Sequence, residues 1–250
     1  MNLGIIGFGN LGRALASGLV KSGHSDIGSL YVCDNSRQAL DFAMGEPYNA
    51  KTDYDVNYVI RNSSIVFLTV KSNVFVELSH VIDKDALKDK TLVSFMAGMS
   101  MEAISSLIGD AMLVRAMPSL AIATCEGVIG YTKSPPEVEG IFEKLGYAFE
   151  TDPENIEKVM AFSSCGLGFA AYLIDAFASA GSSMGFSPEV SAKIAALTFK
   201  NAVERGSFRE TVSAVATPGG ATEQGVLHMD ECKTYEIVAQ AVQKAYKKMS

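Results

Sequence analysis

The pattern of hydrophobic and polar positions divides the chain into two halves. In the first half, short apolar runs predict seven strands: Leu3–Ile6, Leu30–Cys33, Ser64–Val70, Thr91–Phe95, Met112–Arg115, Gly127–Thr132 and Tyr147–Glu150. The segments between them predict six helices: Leu11–Lys21, Ser36–Ala43, Tyr54–Arg61, Val74–Ile82, Met101–Leu107 and Pro136–Leu145. This alternation is typical of an α/β fold, in which helices cover a mostly parallel, doubly wound sheet.

The pattern changes after Thr151-Asp152-Pro153, where strand signals stop and helical periodicity takes over. Within this second half, Ser187-Pro188 predicts a helix N-cap followed by proline at the first helical position. We therefore expect an α/β domain over residues 1–152 and an all-helical domain over residues 153–250.

A glycine-rich turn follows the first predicted strand and precedes the first predicted helix. Its sequence, Gly7-Phe8-Gly9-Asn10-Leu11-Gly12, matches G-x-G-x-x-G. In that motif Gly7 permits a tight turn, Gly9 lets the backbone approach a pyrophosphate, and Gly12 lets the helix pack closely on the strand. The free N–H groups at the helix start face the negative charge. The turn therefore predicts a Rossmann-type dinucleotide site formed by these six residues.

The second predicted strand ends in an acidic residue. Asp34 follows Gly12 by 22 residues, close to the spacing at which the motif places a carboxylate on the ribose hydroxyls. Asn35, Ser36 and Arg37 come next, and side chains of this kind hold the 2′-phosphate of NADP. The segment is consistent with NAD or NADP, and it slightly favours NADPH.

Composition excludes several classes of partner. The chain has 250 residues, 48% of them hydrophobic, and a net charge of −7 without a run of Lys or Arg, so we do not expect nucleic acid as a partner. The four cysteines and three histidines are scattered, which predicts no metal site and reduced thiols in a cytoplasmic protein. The N-terminus lacks the basic start of a signal peptide.

The most apolar later stretch is Cys165–Phe186, which also contains Asp175 and many small residues. An aspartate inside the bilayer is costly, so we expect a helix buried between protein partners and no membrane span. The helical half carries more apolar surface than a free monomer tolerates, and a homodimer mediated by helices is the expected remedy.

A second glycine motif lies in the helical half, at Thr217-Pro218-Gly219-Gly220-Ala221-Thr222. We expect Gly219, Gly220 and Ala221 to present unpaired backbone N–H groups at a helix start, where they would hold a carboxylate. The Thr222 hydroxyl can both donate and accept a hydrogen bond. The alternative is an ordinary loop in which Thr222 caps the helix.

With these motifs the chain resembles the pyrroline-5-carboxylate reductases, which make proline from its cyclic imine precursor. The resemblance covers nearly the whole length. The matching segments are Gly7–Gly12, Val66–Lys71, Ala97-Gly98, Val114–Pro118, Glu126-Gly127 and Thr217–Thr222, of which the last is the most specific.

The resemblance implies a Rossmann domain followed by a helical dimerisation domain, and an NAD(P)H-dependent reduction of 1-pyrroline-5-carboxylate to proline. It implies that Val70, Lys71, Ala97 and Gly98 lie beside the cofactor. The substrate carboxylate would bind at the loop, with Thr222 as the catalytic residue near the imine nitrogen; the substrate-binding residues would be Thr217, Gly219, Gly220, Ala221 and Thr222. A homodimer, or a larger ring of dimers, is the expected assembly.

The chain departs from the family pattern at Ser72, Ser119, Leu167 and Ala214. Three alternatives therefore stay open: a reductase of another cyclic imine, a hydroxy-acid dehydrogenase of the same architecture, and a non-catalytic cofactor-binding paralogue. A dehydrogenase is expected to carry a Lys or His acid/base on the long interface helix, and Cys165–Phe186 contains neither.

Overall fold

The structure is a computed structural model that describes residues 1–23, 28–109 and 111–249. Contacts between residues divide it into two compact units. Unit 1 is Met1–Ser164 together with the last residues of the chain, and unit 2 is Cys165–Lys247. The sequence analysis places the boundary after Asp152, whereas the contacts keep residues 153–164 with the sheet.

Unit 1 contains an eight-stranded sheet within the described ranges, in the order β3-β2-β1-β4-β5-β6-β7-β8. The strands are β1 (Leu3–Ile6), β2 (Leu30–Cys33), β3 (Lys51–Asp53), β4 (Ile65–Leu68), β5 (Thr91–Ser94), β6 (Met112–Pro118), β7 (Gly127–Tyr131) and β8 (Gly146–Glu150). All neighbours pair in parallel except β6 and β7, so the expected parallel-dominated sheet is confirmed.

The sheet has a topological switch point at β1. This strand pairs with β2 on one side and with β4 on the other, so successive connections leave it in opposite directions. In open α/β sheets the crevice beyond the carboxyl ends of such strands is where ligands bind. The glycine turn at residues 7–12 begins at this point.

Helices cover both faces of the sheet. In unit 1 they are α1 (Asn10–Lys21), α2 (Arg37–Met44), α3 (Val56–Asn62), α4 (Ser72–Ser79), α5 (Met101–Ile108), α6 (Pro136–Leu145) and α7 (Ile156–Val159). One apolar cluster joins the sheet to α1, α2 and α6, and a second joins it to α3, α4 and α5. A single π-helical turn, Met160–Ser164, follows α7.

The two-sided cover explains why the central strands are apolar runs without alternation. All four residues of β1 are buried; Leu3 and Ile5 belong to one cluster, and Ile6 belongs to the other. By contrast β3 lies at the sheet edge and reads Lys51-Thr52-Asp53, so the sequence analysis missed it. Its place is fixed by pairing with β2 rather than by hydrophobicity.

Unit 2 consists of helices joined by turns and has no strand among its described residues. Its helices are α8 (Cys165–Ser183), α9 (Pro188–Glu204), α10 (Phe208–Val215), α11 (Ala221–Glu231) and α12 (Thr234–Met249). The Ser187 side chain accepts from the Val190 N–H, which confirms the cap predicted before α9. Helices α8 and α9 pack together, with ring contact between Phe177 and Phe199.

Much of the apolar surface of α8 is uncovered in the single chain. Leu167, Tyr172, Leu173 and Phe177 are all exposed, and no residue of α8 is buried among those the structure describes. The stretch Pro153–Ser183 is also long and apolar enough to cross a membrane, judged by length and composition alone. An exposed apolar face of this kind is typical of a surface that binds another protein or a membrane.

Candidate active site

The glycine turn of unit 1 is shaped by close approach of the backbone. Gly7 has a φ of +95°, a conformation that side chains strongly disfavour, and its N–H donates to the Cys33 carbonyl at 2.8 Å. A Cβ on Gly12 would collide with the Gly7 carbonyl oxygen. These contacts let α1 begin directly against the end of β1.

The start of α1 offers free donors in open space. Gly9 is the N-cap, no side chain caps the helix, and a Cβ on Gly9 would meet nothing within 4 Å. Gly9 and Asn10 are exposed, and the described residues supply no acceptor for their N–H groups. Uncapped N–H groups at the positive end of a helix favour an anion such as a phosphate.

Two side chains that the sequence analysis did not single out hold this turn in place. The Thr69 hydroxyl, just past β4, lies within hydrogen-bonding distance of the carbonyl oxygens of Ile6 and Gly7. Arg13 donates from Nε to the Phe8 carbonyl oxygen at 3.1 Å and lies over the Phe42 ring. The turn is therefore preorganised from both of its ends.

Asp34 lies at the end of β2 and is already hydrogen-bonded. Its Oδ2 accepts from the Phe8 N–H at 2.6 Å, and its Oδ1 accepts from the Ser36 N–H at 2.8 Å. The carboxylate thus joins the second strand to the glycine turn. Each oxygen keeps a further lone pair that a ribose hydroxyl could use.

The neighbours of Asp34 begin α2. Ser36 is the N-cap, and its Oγ accepts from the Ala39 N–H at 3.3 Å. Asn35 and Arg37 are exposed; the Arg37 side chain is 86% exposed and its closest approach to Asp41 is 3.7 Å. Such a surface pair is worth little, so Arg37 is free to turn toward an incoming phosphate.

The remaining predicted cofactor residues follow the next two strands. Val70 contacts the glycine turn, since a Cβ on Gly7 would lie 2.7 Å from its Cγ1. Lys71 is the exposed N-cap residue of α4. Ala97 and Gly98 follow β5, and Gly98 turns the chain with a φ of +66°. All four residues therefore lie beyond the carboxyl ends of β4 and β5.

A buried ion pair lies beside the end of β5. The Arg115 side chain in β6 is 3% exposed and donates from Nη2 to Glu157 Oε1 of α7 at 2.6 Å. The same nitrogen donates to the Met96 carbonyl oxygen at 3.2 Å. The sequence analysis named Arg115 only as part of a family motif. A charged residue within the apolar run of β6 was the feature that could have indicated a buried ion pair.

The Pro-Gly-Gly loop of unit 2 is a turn that leads into α11. Gly219 has a φ of +74°, and the Gly220 N–H donates to the Thr217 carbonyl oxygen at 2.8 Å. The Gly219 N–H donates to Glu223 Oε2 at 2.7 Å. The expectation that Gly219 and Gly220 present unpaired N–H groups is therefore wrong, because the turn and Glu223 already satisfy them.

The free donors of this loop lie one step further along the chain. Ala221 and Thr222 are exposed, and within the described part of the chain their N–H groups have no acceptor. The N-cap of α11 is Gly220, with no side-chain cap, so Thr222 does not cap the helix. Its hydroxyl remains available to a ligand.

The departures from the family pattern have local explanations in two cases. Ser119 is buried, and its Oγ accepts from the Val128 N–H at 3.1 Å, which extends the pairing of β6 with β7. Ser72 is the first residue of α4, a position that serine tolerates well. Leu167 and Ala214 are exposed positions of α8 and α10.

The cysteine, histidine and acidic side chains that the structure describes form no metal-binding cluster. Burial, reinforced by the carboxylates of Asp34, Asp53 and Asp55, raises the pKa of the Cys33 thiol to about 12. Among the described residues no group of three or more His, Cys, Asp or Glu side chains could hold a metal ion, and His24 lies outside those residues.

Two protein-family models match the two halves of the chain. The model for pyrroline-5-carboxylate reductase dimerisation matches residues 153–250, and the model for NADP oxidoreductase, coenzyme F420-dependent, matches residues 2–98. Together they cover more than three quarters of the chain.

Individual relatives match over nearly the full length. A pyrroline-5-carboxylate reductase of Aquifex aeolicus is 29% identical, with 92% of this chain and 89% of the relative aligned. One from Staphylococcus epidermidis is 24% identical, with 96% of this chain and 92% of the relative aligned. The crystal structure of a Plasmodium falciparum pyrroline carboxylate reductase with NADP bound has a TM-score of 0.87 at 23% identity, covering 100% of this chain and 97% of that one. This last likeness confirms the fold.

Proposed function

We propose that this chain, which belongs to the pyrroline-5-carboxylate reductase family, reduces 1-pyrroline-5-carboxylate to L-proline with NAD(P)H. The observation that carries the proposal is the match to reductases of that name over nine tenths of the chain. The reaction requires a cofactor site, which we assign to the uncapped start of α1 in unit 1. It also requires a substrate site, which we assign to the Pro-Gly-Gly loop of unit 2, Thr217–Thr222, called the signature loop below.

The residues around the glycine turn fit a dinucleotide. The open space at Gly9 and the free N–H groups at the start of α1 suit the pyrophosphate, and a lone pair on Asp34 suits the ribose. The exposed Arg37 guanidinium, with Ser36 and Asn35 beside it, suits a 2′-phosphate. We therefore propose NADPH or NADH as the cofactor, with NADPH slightly favoured.

The two halves of the cofactor fall on opposite sides of β1. The adenosine half belongs with Asp34, at the end of β2, so the nicotinamide half belongs with the ends of β4 and β5. Val70, Lys71, Ala97 and Gly98 are the residues that we assign to it. When bound, the reduced nicotinamide supplies the hydride that the imine carbon accepts.

The signature loop is proposed to hold the substrate carboxylate. The N–H groups of Ala221 and Thr222 are free to donate to it, at the positive end of α11. The Gly219 N–H becomes available when Glu223 releases it. Thr217 and Gly220 keep the turn in shape through their backbone hydrogen bond.

Thr222 is the proposed catalytic residue. An imine nitrogen must be protonated before its carbon accepts a hydride, and the Thr222 hydroxyl can donate a hydrogen bond to that nitrogen. A threonine hydroxyl is too weak an acid to supply the proton alone, so a water molecule shares the transfer. Orientation by the carboxylate contacts supplies the larger part of the rate enhancement.

The assembly and its setting follow from the uncovered face of α8. We propose that residues 153–250 form the dimerisation and substrate domain, that the chain is a homodimer or a ring of dimers, and that it works in the cytoplasm. Asp175, in the middle of α8, is the observation that favours a protein partner over a lipid bilayer.

One experiment tests the proposed function. Oxidation of NADPH and of NADH is followed by the loss of absorbance of the reduced nicotinamide, with 1-pyrroline-5-carboxylate and with a six-membered cyclic imine as substrates. We expect turnover of the five-membered substrate, faster with NADPH. Preference for the six-membered imine would reassign the substrate, and binding of cofactor without any turnover would indicate a non-catalytic paralogue.

A further inference from the structure

Arg115 is a buried cation whose hydrogen bonds cross three elements. Its backbone lies in β6, opposite Ser94 at the end of β5, and its Nη2 contacts both Glu157 Oε1 of α7 and the Met96 carbonyl oxygen. Both the Arg115 side chain and most of Glu157 are removed from water, at 3% and 15% exposed. A buried pair of this kind gains little over apolar side chains of similar size, which points to a geometric role.

The Met96 carbonyl oxygen needs the Arg115 guanidinium as a donor because Met96 lies beyond the backbone hydrogen bonds that pair β5 with its neighbouring strands. The last ladder bond at this strand end is the Phe95 N–H to the Leu68 carbonyl oxygen. The Met96 N–H turns instead to Ser94 Oγ at 3.3 Å. The guanidinium therefore satisfies the carbonyl that immediately precedes the Ala97-Gly98 turn.

The guanidinium is only partly satisfied itself. Its Nε is buried and has no hydrogen-bond partner among the described residues. The two hydrogen bonds that its Nη2 makes tie the backbone at Met96 to Glu157, so the guanidinium can impose a position there. The position it imposes is that of Met96, since Glu157 fixes the other side of the same nitrogen.

We propose that Arg115, held by Glu157, is a positioning residue that fixes the Ala97-Gly98 turn against the nicotinamide half of the cofactor. The inference rests on the proposed function, which assigns that half to the ends of β4 and β5. The proposal assigns a role to Arg115, the charged residue of the family motif Val114–Pro118, which is not itself among the residues assigned to a ligand.

The test compares two ligands on the same full-length variants. NADPH contains the nicotinamide, whereas 2′-phospho-ADP-ribose is the same molecule without the nicotinamide ring. The Arg115→Met/Glu157→Leu double variant removes the hydrogen bond to Met96 and leaves no unpaired buried charge. We expect its Kd for NADPH to rise about tenfold, the effect of one lost charged hydrogen bond, with the Kd for the fragment unchanged.

Two further variants make the comparison decisive. Arg115→Lys keeps the charge without the planar fork, so it should recover part of the NADPH affinity. Arg61→Met breaks the exposed pair with Asp83 instead and should change neither Kd. If the double variant does not fold, Arg115→Lys provides the same comparison, with the smaller rise in the NADPH Kd as the expected result.

Equal weakening of both ligands, or no change in either, would overturn the positioning role. Neither result depends on imine turnover. A wild-type protein that binds NADPH but reduces no imine therefore refutes the proposed function while the ligand comparison still decides the role of Arg115.

Discussion

Gly9 and Gly12 provide a matched pair of substitutions, because the same added methyl group meets opposite surroundings. At Gly12 a Cβ would collide with the Gly7 carbonyl oxygen and lie 3.1 Å from Thr69 Oγ1. At Gly9 it would enter open space, and the φ of −75° with ψ of −158° is allowed for alanine. Gly12→Ala should therefore lower the stability of the fold, and Gly9→Ala should weaken binding of the cofactor.

The magnitudes follow from these contacts. Because the Gly12 Cβ would meet a backbone oxygen, overpacking should cost about 2–3 kcal/mol, the upper part of its usual range, and helix propensity offsets about 1 kcal/mol of this for Gly12→Ala. A net loss of about 1–2 kcal/mol corresponds to a Tm lower by roughly 2–8 °C in a chain of this size. Gly9→Ala should leave the Tm nearly unchanged, because the about 0.4–1 kcal/mol gained from lower chain entropy is offset by a similar loss when alanine replaces glycine at the N-cap.

Gly9→Ala should change the affinity for NADPH rather than the stability of the fold. A methyl group pressed against the pyrophosphate at a cost of about 1–3 kcal/mol weakens NADPH binding roughly 10- to 100-fold. Fluorescence titration with NADPH and a thermal melt on both variants provide the two measurements. Unchanged affinity in a folded Gly9→Ala protein would refute the placement of the pyrophosphate, and an unchanged Tm for Gly12→Ala would refute the close approach.

Three further predictions concern Thr222 and Glu223 at the signature loop and the thiol of Cys33. Thr222→Ala should lower kcat about 10- to 100-fold with an unchanged Tm, because the hydroxyl is proposed to donate to the imine and does not cap α11, whereas Thr222→Ser should keep most of the activity. Glu223→Gln should lower KM for 1-pyrroline-5-carboxylate several-fold, because a neutral amide oxygen accepts more weakly from the Gly219 N–H than a carboxylate does and does not repel the substrate carboxylate. Cys33, buried and with a raised pKa, should resist iodoacetamide at pH 8 until guanidinium unfolds the chain.

Each of these predictions has a control that can contradict it. A Thr222→Ala protein with full kcat and a lowered Tm would return the residue to a capping role. For Glu223, the matched variant is Glu189→Gln, an acid in the first turn of α9 that should leave KM unchanged; a higher KM or lower kcat for Glu223→Gln would mean that the carboxylate serves the imine. Rapid labelling of Cys33 in the folded protein would show that its thiol is accessible.

The same physics explains which parts of the fold the sequence could predict. Strands covered on both faces must be apolar throughout, so β1 and β2 were predicted with the bounds that the structure has. The edge strand β3 is polar and three residues long, and only its pairing to β2 identifies it. A pattern of hydrophobicity contains no record of such pairing.

The contacts of the candidate site also divide into local ones, which the sequence could predict, and distant ones, which depend on the fold. The glycine turn follows from local backbone requirements, so its residues could be predicted from the motif alone. The partner that Asp34 finds at Phe8 is 26 positions away and depends on the fold. The contact of Glu223 with Gly219 is local, and an acid three residues after the N-cap Gly220 was a signal that could have found it.

Three polar side chains near the strand ends, of which the sequence analysis singled out only Asp34, share one physical task. Each satisfies a backbone group just beyond the carboxyl end of a strand: Thr69 at Gly7 after β1, Asp34 at Phe8, and Arg115 at Met96 after β5. Strand ends leave such groups without ladder partners, and they lie at the edge where an open α/β sheet binds its ligand. A cofactor loop without these contacts would have to be ordered at the expense of binding energy, so polar residues at these strand ends preorganise the site as well as stabilise the fold.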